Sequence, residues 1–416
     1  MRAHPATCCE DPHGTSRRTF LRGALAFAGA ATVLHGTTFT QTAFAADGAA
    51  ERVLVVLSLR GAADGLNLVV PHGDPVYYQA RPSIAVPSDR LLAKDGFFGL
   101  HPALAPLLPM WSAGRMAAVH AAGLPAPNRS HFSAMEELED ADPGSPERIG
   151  WLNRLVGQVG HGSPLDAIQL GSGVPATQLL GPHPVLATDN IASIELVGMT
   201  GAARVAARRA SLATLWGDAA APLAPGVDAA LRVVDGFAPV RASSPTPAND
   251  ATYPRSELAA ALHAAARTIR ADVGAEVITI DHGSWDHHTW IGTPDGGNLH
   301  DRATELAGAV AAFFTDLGTL GDRVTLVTIS EFGRRVKENA NQGLDHGYGN
   351  VMLLLGAGVK GGYHGTWPGL TNTVDADLLV TTDYRSVLTE VVDSCFDATP
   401  GQVFPGFTPT AVGAMA

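Results

Sequence analysis

The sequence predicts an α/β fold built on a mostly parallel sheet, and three observations carry that expectation. Short apolar runs without polar alternation, at 53–59, 277–280 and 324–329, are the kind shown by strands buried on both faces. Stretches with helical spacing separate them, at 201–220, 257–272 and 302–317. Polar clusters follow the runs, as they do at the carboxyl edge of a doubly wound sheet, where residues distant in sequence converge.

The first 45 residues stand apart. Ser16-Arg17-Arg18-Thr19-Phe20-Leu21-Arg22 is a twin-arginine sequence, an uncharged run over 23–34 follows, and Ala43-Phe44-Ala45 has the small-x-small form of a cleavage site. The uncharged run is too short to span a bilayer, so residues 1–45 are expected to be a twin-arginine signal peptide, and the rest a periplasmic or extracellular protein. No later stretch reaches the roughly eighteen apolar residues of a membrane span. Removing Arg2, Arg17, Arg18, Arg22, Glu10 and Asp11 leaves 24 basic against 38 acidic residues, a net charge of −14. A polyphosphate needs a basic patch, and the densest basic group is only Arg204, Arg208 and Arg209, so no nucleic-acid partner is expected. Cys8 and Cys9 lie in the signal, which leaves Cys395 alone and excludes an internal disulfide. No Pro/Ser-rich linker and no repeat divides 46–416, so one domain is expected.

Along that domain the strand at 53–59 runs into Arg60-Gly61-Ala62-Ala63-Asp64-Gly65, which places an acid in the loop behind it. A helical stretch at 104–114, a strand at 116–120 and a Pro/Gly loop at 123–127 lead to Asn128-Arg129-Ser130-His131-Phe132 and a helix from 135. A strand at 167–170 and a turn-rich 175–184 follow. Ala spacing with interleaved Arg at 201–220 and 257–272, around a Pro-rich 238–254, suggests a helical insertion around 200–272. The last third repeats the alternation: strands at 277–280, 324–329 and 351–355, a helix at 302–317, and loops holding Asp345-His346-Gly347 and Tyr363-His364-Gly365.

The densest chemistry lies directly behind 277–280, where Asp281-His282-Gly283-Ser284-Trp285-Asp286-His287-His288 packs two carboxylates and three imidazoles into eight residues. Such donors hold Zn, Mn or Fe without thiolates. Bland alternatives stand beside the other positions. Asp64 reads equally as a turn or cap residue, Ser130 as the opening of a helix and His131 as structural. Asp281, His282 and His287 read as partners that orient ligands by hydrogen bonds, and Glu331 with Arg334 as an ion pair.

Taken together, Leu59-Arg60-Gly61-Ala62-Ala63-Asp64-Gly65-Leu66-Asn67, Arg129-Ser130-His131-Phe132, Trp285-Asp286-His287-His288, Ser330-Glu331-Phe332-Gly333-Arg334, Asp345-His346-Gly347 and Thr381-Thr382-Asp383-Tyr384-Arg385 resemble the ordered marks of a twin-arginine-exported bacterial family, domain of unknown function 1501 (DUF1501). That family is similar to the alkaline phosphatase and sulfatase superfamily. The resemblance implies a three-layer α/β/α sandwich with a mostly parallel central sheet, and metal-dependent hydrolysis of phosphate or sulfate esters of a small molecule or glycan. It implies Asp64 as the first-strand metal ligand, Ser130 as nucleophile, and Arg129 close to the substrate oxyanion. Asp286 and His288 match ligands of one metal, Glu331 an acidic ligand, and Asp345 with His346 the final ligand group, with His364 as a further candidate. Phe332 stands where the superfamily has an imidazole. One or two divalent ions are therefore expected, among Mg, Mn, Ca and Zn, and few imidazoles favour the first three. The same Phe332 supports an alternative, a catalytically silent envelope protein that uses the cleft to bind a glycan or a protein partner.

Overall fold

The structure is a computed structural model and describes residues 37–39, 50–198, 200–217 and 223–416. Apart from 37–39, the export signal expected over 1–45 lies outside the described residues.

Ten strands form one mixed sheet among the described residues. They are β1 (Thr37–Phe39), β2 (Val53–Leu59), β5 (Met116–Gly123), β6 (Ala167–Leu170), β7 (Leu186–Thr188), β8 (Val277–His282), β9 (Val324–Ile329), β10 (Asn350–Gly356), β11 (Gly362–His364) and β12 (Thr382–Asp383). Their order is β1-β7-β6-β8-β2-β9-β10-β5-β11, with β12 also beside β5, while β3 (Val69–Val70) and β4 (Gly99–Leu100) pair separately. Only β1 and β10 run against the common direction. This is an α/β fold with a mostly parallel sheet.

Side chains alternate across a strand, so the unbroken apolar run of β2 needs cover on both faces. It has it. Val53, Val55, Leu57 and Leu59 pack into one core with α5 (Glu257–Ala271) and α6 (Asn298–Leu317). Leu54 and Val56 pack into another with α1 (His131–Asp140), α2 (Trp151–Val159) and α7 (Tyr384–Cys395). All seven residues of β2 are buried, and burying each large aliphatic side chain contributes roughly 1.5–3 kcal/mol.

The helical stretch expected over 200–272 divides into two environments. α3 (Ala202–Trp216) buries none of its side chains and meets α4 (Leu223–Gly236) in a satellite cluster around Leu231 and Val234. α5 instead buries Leu258, Leu262, Ala265 and Ile269 in the main core, where it packs on α6 and β8. No helix among the described residues is long and apolar enough to cross a membrane.

The reversed strand decides where the loops go. Because β10 runs antiparallel between β9 and β5, the loop entering it opens on the same edge as the loops leaving its neighbours. Segments following β2, β5, β8 and β9 and the segment preceding β10 are thereby gathered at one edge.

Candidate metal centre

Three of those segments bring imidazoles together. His131 opens α1 with Ser130 as its N-cap, His288 lies in the loop after β8, and His346 lies in the loop before β10. His346 Nε2 stands 3.0 Å from His131 Nε2 and 3.0 Å from His288 Nε2. Asp286 Oδ1 lies 3.0 Å from His288 Nε2, 3.4 Å from His346 Nε2 and 3.5 Å from His131 Nε2. Ligand atoms about 2.1 Å from one ion at tetrahedral angles stand roughly 3.4 Å apart, which is the scale of these separations. His131, Asp286 and His346 form the group that could hold an ion, and His288 reaches the same two atoms.

The far side of each ring fixes which nitrogen carries the proton. His346 Nδ1 faces the Arg129 carbonyl at 2.8 Å, and a carbonyl can only accept. His131 Nδ1 faces Glu331 Oε1 at 2.8 Å, and His288 Nδ1 faces Asp345 Oδ1 at 3.3 Å. In the neutral tautomer with Nδ1 donating, each ring leaves Nε2 as an acceptor turned toward its neighbours, while Asp286 Oδ1 also accepts from Arg334 at 2.6 Å. Acceptors so arranged repel unless a cation lies among them, and acceptor-oriented imidazoles are the usual surroundings of a metal.

Charge is tuned to match. Burial works against the ionised Asp286, but the Arg334 guanidinium, 2.6 Å away, and the imidazoles of His288 and His131 outweigh it and hold the carboxyl below its ordinary value. Burial, with Arg334 and the other two imidazoles, pushes His346 down and so favours its neutral ring, although its bond to the Arg129 carbonyl works the other way. The Asn339 amide, against the cost of burial and helped by His288, holds Asp345 low and so acceptor-only.

Arg334 ties the loops into one frame. Its buried guanidinium donates to the carbonyls of Ala62 and Gly61 behind β2, to Leu344 before β10, and to Trp285 and Asp286 behind β8. Gly61, at φ 109°, is required here, because a Cβ would stand 2.7 Å from the Asp286 nitrogen.

Several expected ligands take other positions. Asp64 is apart from the cluster: Arg81 holds both its oxygens, at 2.5 and 2.9 Å, and both side chains are fully buried. Glu331 and Asp345 orient His131 and His288 rather than joining the converging atoms, and Glu331 also accepts from the Gly61 N–H at 2.8 Å. Asp281 pairs with Arg60 at 2.8 Å. His282 is buried beside Trp285 with Nε2 3.5 Å from Glu305, and His287 Nε2 donates to the Ser284 carbonyl at 2.9 Å. His364 Nε2 donates to the Lys360 carbonyl at 2.8 Å, on β11. Ser130 is exposed at the head of α1, one residue before His131, and makes no side-chain cap. The Arg129 side chain pairs with Asp377, and only its carbonyl touches the cluster.

His131, read from the sequence as structural, stands in the group that could hold an ion. The Phe332 ring, 2 % exposed, packs 4.9 Å from both His131 and His346 and walls them in. The one local hint of His131 is its position at a helix start in the segment that follows β5.

The sequence profile of a family described as "Protein of unknown function (DUF1501)" matches residues 111–390. The chain belongs to the DUF1501 family. The DUF1501 match takes in every residue of the imidazole cluster and its partners Arg129, Glu331, Arg334 and Asp345, and begins beyond Asp64 and Arg81. No curated protein matches the chain.

Proposed function

We propose that this protein is an exported, metal-dependent hydrolase of phosphate or sulfate esters, on a three-layer α/β/α scaffold of the alkaline phosphatase and sulfatase type. One observation supports the reading: His131, Asp286 and His346 offer ligand atoms within 4.8 Å of one another, and His288 Nε2 stands 3.0 Å from both His346 Nε2 and Asp286 Oδ1. Three imidazoles and one carboxylate suit Zn, or another ion that seeks imidazole, better than Mg or Ca, which take oxygen ligands. Since Arg81 occupies both Asp64 oxygens, the proposal is for one ion.

When bound, the ion supplies a Lewis acid that offsets charge on the nonbridging oxygens of an anionic ester. The chain's own groups do the rest. Ser130 supplies the attacking oxygen; a bond forms from it to phosphorus or sulfur as the ester bond breaks, and the leaving alcohol takes the proton. Water then displaces the anion and restores the hydroxyl. Arg334 keeps Asp286 ionised, and Glu331, Asp345 and the Arg129 carbonyl hold the three rings in the orientation that presents Nε2.

A second reading has its own support. Among the described residues no side chain hydrogen-bonds the Ser130 hydroxyl, and Arg129 is already paired with Asp377. Both favour a catalytically silent envelope protein that binds a glycan or a protein in the same cleft.

Metal analysis of natively exported protein, together with turnover of 4-nitrophenyl phosphate and sulfate, tests both. About one tightly bound divalent ion per chain, with turnover lost in Ser130→Ala, supports the hydrolase. A bound ion without turnover supports the silent binder. Absence of metal, with no response of thermal stability to a chelator, sinks the metal-centre reading.

A further inference from the structure

His131, Asp286, His346 and His288 converge at the centre, and the last of them is held differently. The first three form the group whose ligand atoms all lie within 4.8 Å of one another. His288 joins it through His346 Nε2 and Asp286 Oδ1, each 3.0 Å from its own Nε2. Its side chain is 42 % exposed, against 27 % for His131 and 24 % for His346. Its Nδ1 also has the weakest anchor of the three rings. Glu331, itself 3 % exposed, and the Arg129 carbonyl each stand 2.8 Å from their rings, whereas Asp345 is 63 % exposed and 3.3 Å from His288. That separation lies past the usual range for an N–H donor and an oxygen. Asp286 is as open to solvent as His288, but Arg334 fixes it at 2.6 Å.

The main chain beneath this loosely held ring is fixed. Asn339 Nδ2 donates to the His288 carbonyl at 2.9 Å and to Asp345 Oδ1 at 3.1 Å. The Leu344 N–H donates to the His287 carbonyl at 3.0 Å, and the Trp290 N–H to the Asn341 carbonyl at 3.0 Å. Gly343 packs so closely that a Cβ there would stand 2.1 Å from the His288 carbonyl oxygen. A ring on such a support can turn about its side-chain bonds while the loop keeps its path, and such turns are fast at exposed positions.

The chemistry asks for a donor of this kind. A centre filled by four protein ligands is closed, as structural ions are, whereas a catalytic ion keeps a position for its substrate. We propose that His288 is a displaceable ligand, which completes the resting centre and turns away when an anion takes its position. Asp345, held by Asn339, draws it back when the anion leaves. The inference rests on the anionic-ester reading and assigns that site its opening step. The exchange is one of ligands alone: an oxygen lone pair of the anion replaces the Nε2 lone pair, and no proton or electron moves.

Proton NMR of the cobalt(II)-loaded, exported protein tests this, because the Nδ1 proton of a cobalt-bound imidazole gives a shifted resonance of its own. The His288 resonance is the one missing from His288→Ala. It is expected in the resting protein and is expected to vanish on saturation with inorganic phosphate, while the resonances of His131 and His346 persist. Calorimetry should show phosphate binding about tenfold more tightly to cobalt-loaded His288→Ala than to the wild type, since no ligand has to be displaced. Persistence of every resonance with phosphate bound, loss of a different one, or no His288 resonance in the resting protein overturns the displaceable ligand and leaves the anion site standing. So does a phosphate affinity in His288→Ala no higher than in the wild type. If the variant fails to fold, the wild type alone decides, through whether an imidazole resonance is lost when phosphate binds. No phosphate binding by the loaded wild type overturns the anionic-ester reading, and the displacement with it.

Discussion

Glu331 Oε1 lies 2.8 Å from His131 Nδ1 across a sequence separation of 200 residues. The contact converts an isolated imidazole into an oriented donor, because a carboxylate that accepts at Nδ1 leaves Nε2 bare. Glu331→Ala is expected to lower metal affinity about 10- to 100-fold, measured by competition with a chelating dye. Glu331→Gln keeps an oxygen for both the imidazole and the Gly61 N–H, so its loss is smaller. Equal affinity in all three proteins would show that Glu331 does not act through His131.

Asp64 and Arg81 form a fully buried bidentate pair. Removing one partner leaves an uncompensated buried charge, so Asp64→Asn is expected to destabilise the fold by about 3–5 kcal/mol in chemical denaturation. Its metal content stays at the wild-type level. Loss of metal with unchanged stability would instead return Asp64 to the ligand set.

Phe332 fills the space behind two of the imidazoles. Truncation to Ala is expected to cost about 3–5 kcal/mol through the cavity it opens, and Phe332→Leu clearly less. If Phe332→Ala unfolded at the wild-type denaturant concentration, the packing role of the ring would be refuted.

His101, His120 and His282 are each pushed down to about 4, first of all by burial. His300 lowers His101 further and His364 lowers His120, while Glu305 partly opposes the shift at His282. The unfolded chain titrates these groups near 6.5 and so binds protons that the native state refuses. Their contribution is therefore complete above about pH 6.5 and is lost as pH falls toward 4, at up to about 1.4 kcal/mol per pH unit and per group. Urea unfolding at a series of pH values reads the slope. His120→Phe should flatten it, because both nitrogens of this ring lack partners and the ring packs 4.3 Å from Phe98. An unchanged slope in that variant would remove His120 from the account.

The buried strands were legible because burial on both faces leaves no room for polar alternation. β6 and β9 have the expected bounds, and β2 likewise, since each is an apolar run closed by polar or Gly residues. β11 and β12 were not legible. They are short, partly exposed and defined by pairing with β5 rather than by their own composition. α1 starts at His131 rather than 135 because Ser130 takes the extended cap conformation, a backbone choice that the composition of the segment does not express.

The site divides in the same way. Asp286 and His288 stand out because their donors are neighbours in sequence. His131 does not, being a single imidazole beside a serine, and Glu331 and Asp345 look like ligands in the sequence because a carboxylate's type does not reveal what it faces. Composition and order along the chain set the supply of donors and their position behind strands, since buried parallel strands write apolar runs and their loops collect polar residues. Which atoms meet follows from the packing of the strands. The strand order and the reversed β10 bring the loops before β10 and after β8 to the head of α1, where side chains far apart in sequence meet.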